Sequence, residues 1–409
     1  MHSEVRIMKI DTSVVRVLIT AGVGIASLVG CQSSPDHQKT QREVAQQQWN
    51  QTRAGIMHSL ALDQFKTGNF DKARRTVDEA LTIDPQNIQL HILSARISIE
   101  QNRLDQADQQ LKQALMLNPQ NAEALYYSGI VAQRWQKFEE ALAYYTRASE
   151  AQPIEPAYLL ARAEMLAMLD RRPEALSALQ DKLVYFEHSA VLRDAVGQLL
   201  MQEGQYVKAA DLFRQASILA GDDLSIREHL ATAQFFAGDY RSASETLSRL
   251  VDNPAYSERT DLLVMLGEAY LQNGQLLQSR QILLKATSLN PASTPAWIGL
   301  GKAALALNDF QRAESAIRRA ISLSPENADT HLSMGYLRMK QGQYEQAVRS
   351  FQTASRLNPL DAVSLCLIGR VYELQGQHDE ALAWYGKALR INPQEELALR
   401  LMATARIGD

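Results

Sequence analysis

Cysteine is almost absent from this chain: 409 residues contain two, Cys31 and Cys366, which excludes a disulfide framework. Charge of either sign is also lacking in excess. Forty-two Lys and Arg stand against 46 Asp and Glu, for a net charge of −4, and no stretch has the basic clustering that neutralising phosphates requires. That excludes nucleic acid as a partner. No long apolar run occurs. The best, Val17 to Gly30, would rise about 21 Å as a helix, short of the ~30 Å hydrocarbon core, so it is not a permanent membrane span. Chemistry is missing too. His58, His91, His188, His229, His331 and His378 are scattered over different phases of the chain, and no HxxxH or HxxE spacing brings two ligands to one helix face, so no metal is expected. Gly299-Leu300-Gly301-Lys302 lacks the leading glycine and trailing hydroxyl of a phosphate loop. No GxSxG elbow or distinct carboxylate pair is present. No cofactor and no catalytic residue is assigned.

The amino terminus has the layout of a signal peptide. Lys9 and Arg16 precede the short apolar run, and a polar stretch from Gln32 to Asn50 follows it at once. The residues Leu28-Val29-Gly30-Cys31 resemble the lipobox of bacterial lipoproteins. The resemblance implies cleavage before Cys31, acylation of its thiol, and, because Gln32 stands where an Asp would retain the product in the inner membrane, anchoring at the periplasmic face of the outer membrane. Acyl chains add ~0.8 kcal/mol per buried methylene, enough in combination to hold a soluble domain on a bilayer. The alternative is an ordinary secretory signal that happens to contain a cysteine. Asp11 and the long lead before Met8, a second candidate start, depart from the usual pattern. Residues 1–30 are thus read as signal peptide and 31–51 as an acylated Cys and flexible tether, with Glu43 to Asn50 entering a first helix, since so few apolar side chains cannot offset ordering entropy.

From residue 52 onward the dominant feature is a period. Ala73, Ala107, Ala141, Ala175, Ala209 and Ala243 recur every 34 residues, and after a two-residue slip at Ser279 come Ala313, Ala347 and Ala381. With this residue at position 20 of a 34-residue unit, position 8 is Ala61, Ala95, Gly129, Ala163, Gly197, Ala231, Gly267, Gly301, Gly335 and Gly369. Small residues at both positions allow two helices to approach closely. Position 24 is large, from Val77 through Tyr145, Phe213 and Phe351 to Tyr385, filling what the small residues leave open. Position 15 is mostly Gly, with Asn102 and Asn308 substituting, suited to a left-handed helix end. Position 32 carries Pro85, Pro119, Pro153, Pro291, Pro325, Pro359 and Pro393, which stop one helix and start the next. Repeat four departs, with Asp170-Arg171-Arg172-Pro173 across its turn, and repeats four to six lack the final proline. A bend or altered superhelix is expected there, or else simple drift in helices that still pack.

These marks together resemble the tetratricopeptide repeat family. The resemblance implies an all-α fold, a right-handed superhelical α-solenoid of about ten helix hairpins over residues 52–393, with residues 394–409 forming a C-terminal capping helix. It also implies protein or peptide partners bound along a groove lined by positions 2, 5, 9, 12 and 13 of each first helix. Carried over, these positions give a candidate set: Tyr126, Arg134, Glu164, Asp194, Glu228, Phe235, Phe236, Asp261, Glu268, Lys302, Tyr336 and Arg370. The asparagine that chaperone-cofactor members use at position 9 to grip a terminal carboxylate is absent, so that function does not transfer. Glu164, Asp194, Glu228, Asp261 and Glu268 suggest a negative middle groove flanked by Lys302, Lys340 and Arg370, suited to a peptide with a basic centre. The competing reading is a merely solvated face.

The function this implies is a non-catalytic scaffold for envelope partners, resembling pilotin-like and tight-adherence pilus lipoproteins that assemble a pilus or secretion machine. Scaffolding of polysaccharide export or of peptidoglycan hydrolases is the second reading, and an enzyme with a site concealed in the groove is the third.

Overall fold

Twenty-one α-helices and one 3-10 turn, with no strand, make up the described residues of the computed structural model. The backbone is described over residues 35–407 and the side chains over 42–403. Cys31 and the signal peptide lie outside the described residues.

The chain divides into two compact units, the first ending at Arg103 and the second beginning at Leu104. In the first, α1 (Pro35–Lys66) and α2 (Phe70–Ile83) form a hairpin against which α3 (Ile88–Glu100) packs. Ala54, Ala61, Ala73, Val77, Ala80, Leu90, Leu93 and Ile97 make its core. The segment read as a tether is helical from Pro35 onward: α1 continues through it. Its Gln, Glu, Arg and Ala residues are good helix formers with no internal Gly or Pro, although the side chains from Arg42 to Trp49 are all exposed.

In the second unit α4 (Leu104–Leu117) precedes the hairpins α5 (Ala122–Arg134) with α6 (Phe138–Ala151), α7 (Pro156–Met168) with α8 (Arg172–Gln180), and α9 (Ala190–Gln202) with α10 (Tyr206–Ala220). Next come α11 (Leu224–Phe236) with α12 (Tyr240–Val251), α13 (Thr260–Gln272) with α14 (Leu276–Leu289), and α15 (Thr294–Ala306) with α16 (Phe310–Leu323). Then follow α17 (Ala328–Lys340) with α18 (Tyr344–Leu357), α19 (Ala362–Leu374) with α20 (His378–Ile391), and the single α21 (Glu396–Ile407). Each hairpin packs on the next, as α6 on α7 and α18 on α19, so one stack of cores runs through the unit.

The reason for the close packing is visible within each hairpin. Every alanine of the position-20 series is fully buried, and so is Ser279. Ser279 is tolerated because its Oγ donates to the Gly267 carbonyl at 2.6 Å, leaving no unsatisfied hydroxyl. At position 8 of the last two repeats, a Cβ on Gly335 would stand 2.5 Å from the Phe351 ring and one on Gly369 2.6 Å from the Tyr385 ring. Only a residue without a side chain lets these rings lie flat against the facing helix.

Repeat four keeps its turn despite its sequence. Asp170 adopts φ 60° and Gln136 φ 61°, the left-handed geometry that Gly342 takes in repeat nine at φ 72°. The same paired hydrogen bonds close these ends: Arg171 N donates to Leu166 O and Asp170 N to Ala167 O, just as Gln343 N donates to Arg338 O and Gly342 N to Met339 O. What changes is α8, which ends at Gln180 and gives way to a 3-10 turn at Leu183–Tyr185. Lys182 stands where other repeats bury an alanine, and a lysine cannot be buried there unpaired.

Candidate functional site

Side chains at position 34, just before each first helix, set where these helices begin. Asn87, Asn121, Ser189, Asp223, Ser293, Asn327 and Asp361 each accept a hydrogen bond from a backbone amide of the first turn. Position 34 was not among those singled out in the sequence, although its Asn, Ser and Asp residues are a legible cap signal. Position 4 was missed as well. His91 and His331 share this phase, contrary to the scatter read from the sequence, and each Nε2 donates to the carbonyl of a position-32 proline: Pro85 at 2.9 Å and Pro325 at 2.7 Å. Trp297 Nε1 does the same to Pro291 at 3.0 Å. These histidines close interhelical loops. Among the described residues no group of three His, Cys, Asp or Glu could hold a metal ion.

Arg259 breaks the cap series, and its guanidinium does something else. It reaches Glu228 of α11 at 2.8 Å and Asp261 of its own helix at 2.7 Å and 2.9 Å. Asp261 is held below the usual carboxylate range, first by this hydrogen bond. Asp194 is also engaged: one oxygen takes His229 Nδ1 at 2.7 Å and the other Gln198 Nε2 at 2.6 Å. The bond from Asp194 holds the His229 pKa above its ordinary value, against the opposing effect of burial. Glu164 accepts from Gln133 at 3.2 Å, and Gln133 in turn accepts from the Tyr145 hydroxyl at 2.8 Å. Four of the five acidic groups read as a peptide-binding middle are therefore tied to neighbouring side chains. Glu268 is half-buried on α13.

The aromatic candidates divide similarly. Tyr126 is half-buried, its ring centroid 5.0 Å from Tyr158 and 5.6 Å from Tyr145. Phe235 is half-buried against Tyr240 at 5.5 Å, whereas Phe236 lies against Tyr206 at 5.4 Å and remains 53% exposed. Arg134 is exposed at the end of α5.

Lys302, Tyr336 and Arg370 are brought together. They hold position 9 in α15, α17 and α19, and all three line one cavity of about 1320 Å³ with Lys340. Apolar walls come from residues such as Leu271, Leu305, Met339 and Leu367. Helix α21, expected only to cover the last pair, contributes Leu397, Arg400 and Leu401 to the same cavity. One carboxylate faces it, that of Glu373, bonded to Arg370 Nη1 at 2.9 Å and to the Tyr385 hydroxyl at 2.7 Å. Cys366 is fully buried beside this region, and burial pushes its thiol up to about 12, so it is chemically inert in the fold. No described helix is long and apolar enough to cross a membrane.

Known proteins match in three ways. Tetratricopeptide repeat models match residues 64–128 and 129–188. A model of the C-terminal domain of cilia and flagella-associated protein 70 matches residues 219–407. Similar solved structures include pilF of Pseudomonas aeruginosa, 19% identical with a TM-score of 0.44 over 49% of this chain and 91% of that one. They also include PilW, a widely conserved type IV pilus biogenesis factor, 21% identical with a TM-score of 0.45 over 50% and 94%. Yeast Tom70 is 12% identical, with a TM-score of 0.40 over 88% and 96%. No curated protein matches the sequence.

Proposed function

We propose that this tetratricopeptide repeat protein is a non-catalytic scaffold for protein partners of the bacterial cell envelope, held by lipid at Cys31 on the periplasmic face of the outer membrane and serving assembly of a pilus or secretion machine. The observation that carries the scaffold reading is the gathering of position-9 side chains from three successive repeats around one large cavity. Stacked repeats present such positions side by side, and partners are recognised across several at once. The fold alone does not name the partner. The anchor is supported by Leu28-Val29-Gly30-Cys31 and the flanking residues, and the envelope machine by the resemblance of the whole layout to pilus-assembly lipoproteins.

Pull-down from detergent-solubilised envelope with the acylated protein tests this reading. Enrichment of secretin or pilin components supports it, and recovery of no envelope protein overturns it. A Cys31→Ser chain that still sediments with the outer membrane and still labels with radioactive palmitate overturns the anchor.

A further inference from the structure

The geometry points to a specific site in repeats eight to ten for an acidic protein segment carrying apolar anchors. The inference rests on the scaffold reading and names the chemistry of its partner. Four cations, Lys302, Lys340, Arg370 and Arg400, line the cavity against the single carboxylate of Glu373. That carboxylate is already committed to Arg370 and the Tyr385 hydroxyl. Lys302 and Lys340 have no ion-pair partner among the described residues. The field in the cavity is therefore positive, and a basic segment would be repelled from it.

Charge alone does not define the occupant. Leu271, Leu305, Leu374 and the leucines of α21 leave apolar surface open to this space, and about 1320 Å³ accommodates several side chains at once. Burying apolar groups there contributes about 25 cal/mol per Å². The cations stand on three successive first helices and on α21, so the positive charge is spread along the cavity rather than focused at one point as a single phosphate headgroup would need. A segment with carboxylates interspersed among Leu or Phe side chains matches both patterns.

The test uses the full chain and three fluorescent peptides of equal length. One mixes Glu with Leu and Phe, one replaces Glu by Lys, and one replaces the apolar residues by Ser. Fluorescence anisotropy is expected to show binding of the first alone, with affinity falling at least about tenfold between about 0.05 and 0.5 M salt as charges are screened. Lys302→Glu with Lys340→Glu should lower the affinity at least about tenfold, whereas Glu150→Lys, exposed on α6 and outside every candidate binding position, should leave it unchanged. Circular dichroism checks the reversed pair, and Lys302→Gln with Lys340→Gln, expected to lose a smaller factor, replaces it if it misfolds. Equal binding of the Lys peptide, or full affinity in the double variants, overturns the site. So does failure of the acidic peptide to bind while anionic phosphatidylglycerol vesicles do. The two readings fail separately: an envelope partner captured equally by wild type and the lysine variants overturns the site and leaves the scaffold, whereas peptide binding with no envelope partner captured overturns the scaffold and leaves the site.

Discussion

Phe351 occupies the space a side chain on Gly335 would need, with its Cδ1 and Cε1 2.5 Å from where that Cβ would sit. The same relation joins Gly197 to Phe213 at 2.5 Å and Gly369 to Tyr385 at 2.6 Å. Where position 8 is alanine, as at Ala61, Ala163 and Ala231, position 24 carries the smaller Val77, Leu179 and Leu247. Gly335→Ala should therefore destabilise the chain by up to about 2 kcal/mol, because overpacking of about 1–3 kcal/mol outweighs the helix-propensity gain of about 1 kcal/mol. Adding Phe351→Leu should recover most of that loss. Urea denaturation of the four members of the cycle measures the coupling, and additive effects would show that the pair does not share one space.

Arg259 holds a position that eight other first helices, α7 with Glu155 among them, give to a capping side chain, and it spends its charge on Glu228 and Asp261 instead. Arg259→Ala should cost about 1 kcal/mol and the loss should shrink in salt, as expected for a half-exposed network. Arg259→Ser should be more stable than Arg259→Ala by about 1 kcal/mol, since it restores the cap. Equal denaturation midpoints for the two variants would refute the cap account.

His229 carries the pH dependence between α9 and α11. Its folded pKa lies above the ordinary value because Asp194 binds the charged ring, helped by Glu228 and Asp223 nearby. The stabilisation is then fully present below the unfolded value of about 6.5 and is lost as pH rises through the folded value. Wild type should accordingly lose more stability than His229→Gln between about pH 6 and pH 8.5. Parallel slopes in urea-midpoint measurements would argue against the ion pair.

Cys366 should resist thiol reagents in the native fold. In a Cys31→Ser chain it is the remaining cysteine, fully buried and with its thiol raised to about 12 by burial first and by Glu395 and Asp361 second. Labelling at pH 8 should proceed only after denaturation, and rapid native labelling would contradict the burial.

The period was legible because the same packing problem recurs. Ala347, Gly335 and Phe351 meet inside one hairpin, so their residue types follow from local geometry, and every repeat restates them. The groove was less so. Positions 2, 5, 9, 12 and 13 identify which side chains leave the first helices, and Lys302, Tyr336 and Arg370 do converge. They do not reveal what those side chains meet. Arg259 lies outside those positions, and its capture of Glu228 and Asp261 depends on a loop whose course no periodicity specifies. The role of α21 was hidden for a similar reason: Leu397, Arg400 and Leu401 belong to a helix without a partner, and only its docking on α19 and α20 turns them toward the cavity.

The glycine and the ring it accommodates always sit on the two arms of a single hairpin, sixteen residues apart, as Gly369 and Tyr385 do. Genetic exchange between repeats is thereby constrained. A crossover in the loop between hairpins transfers a matched pair and leaves a sound unit, but one falling within a hairpin can join an alanine arm to a phenylalanine arm, crowding the crossing, or a glycine arm to a valine arm, leaving it hollow. Shortening or lengthening of this chain by whole multiples of 34 residues, breaking between hairpins, is the route that keeps every such fit intact.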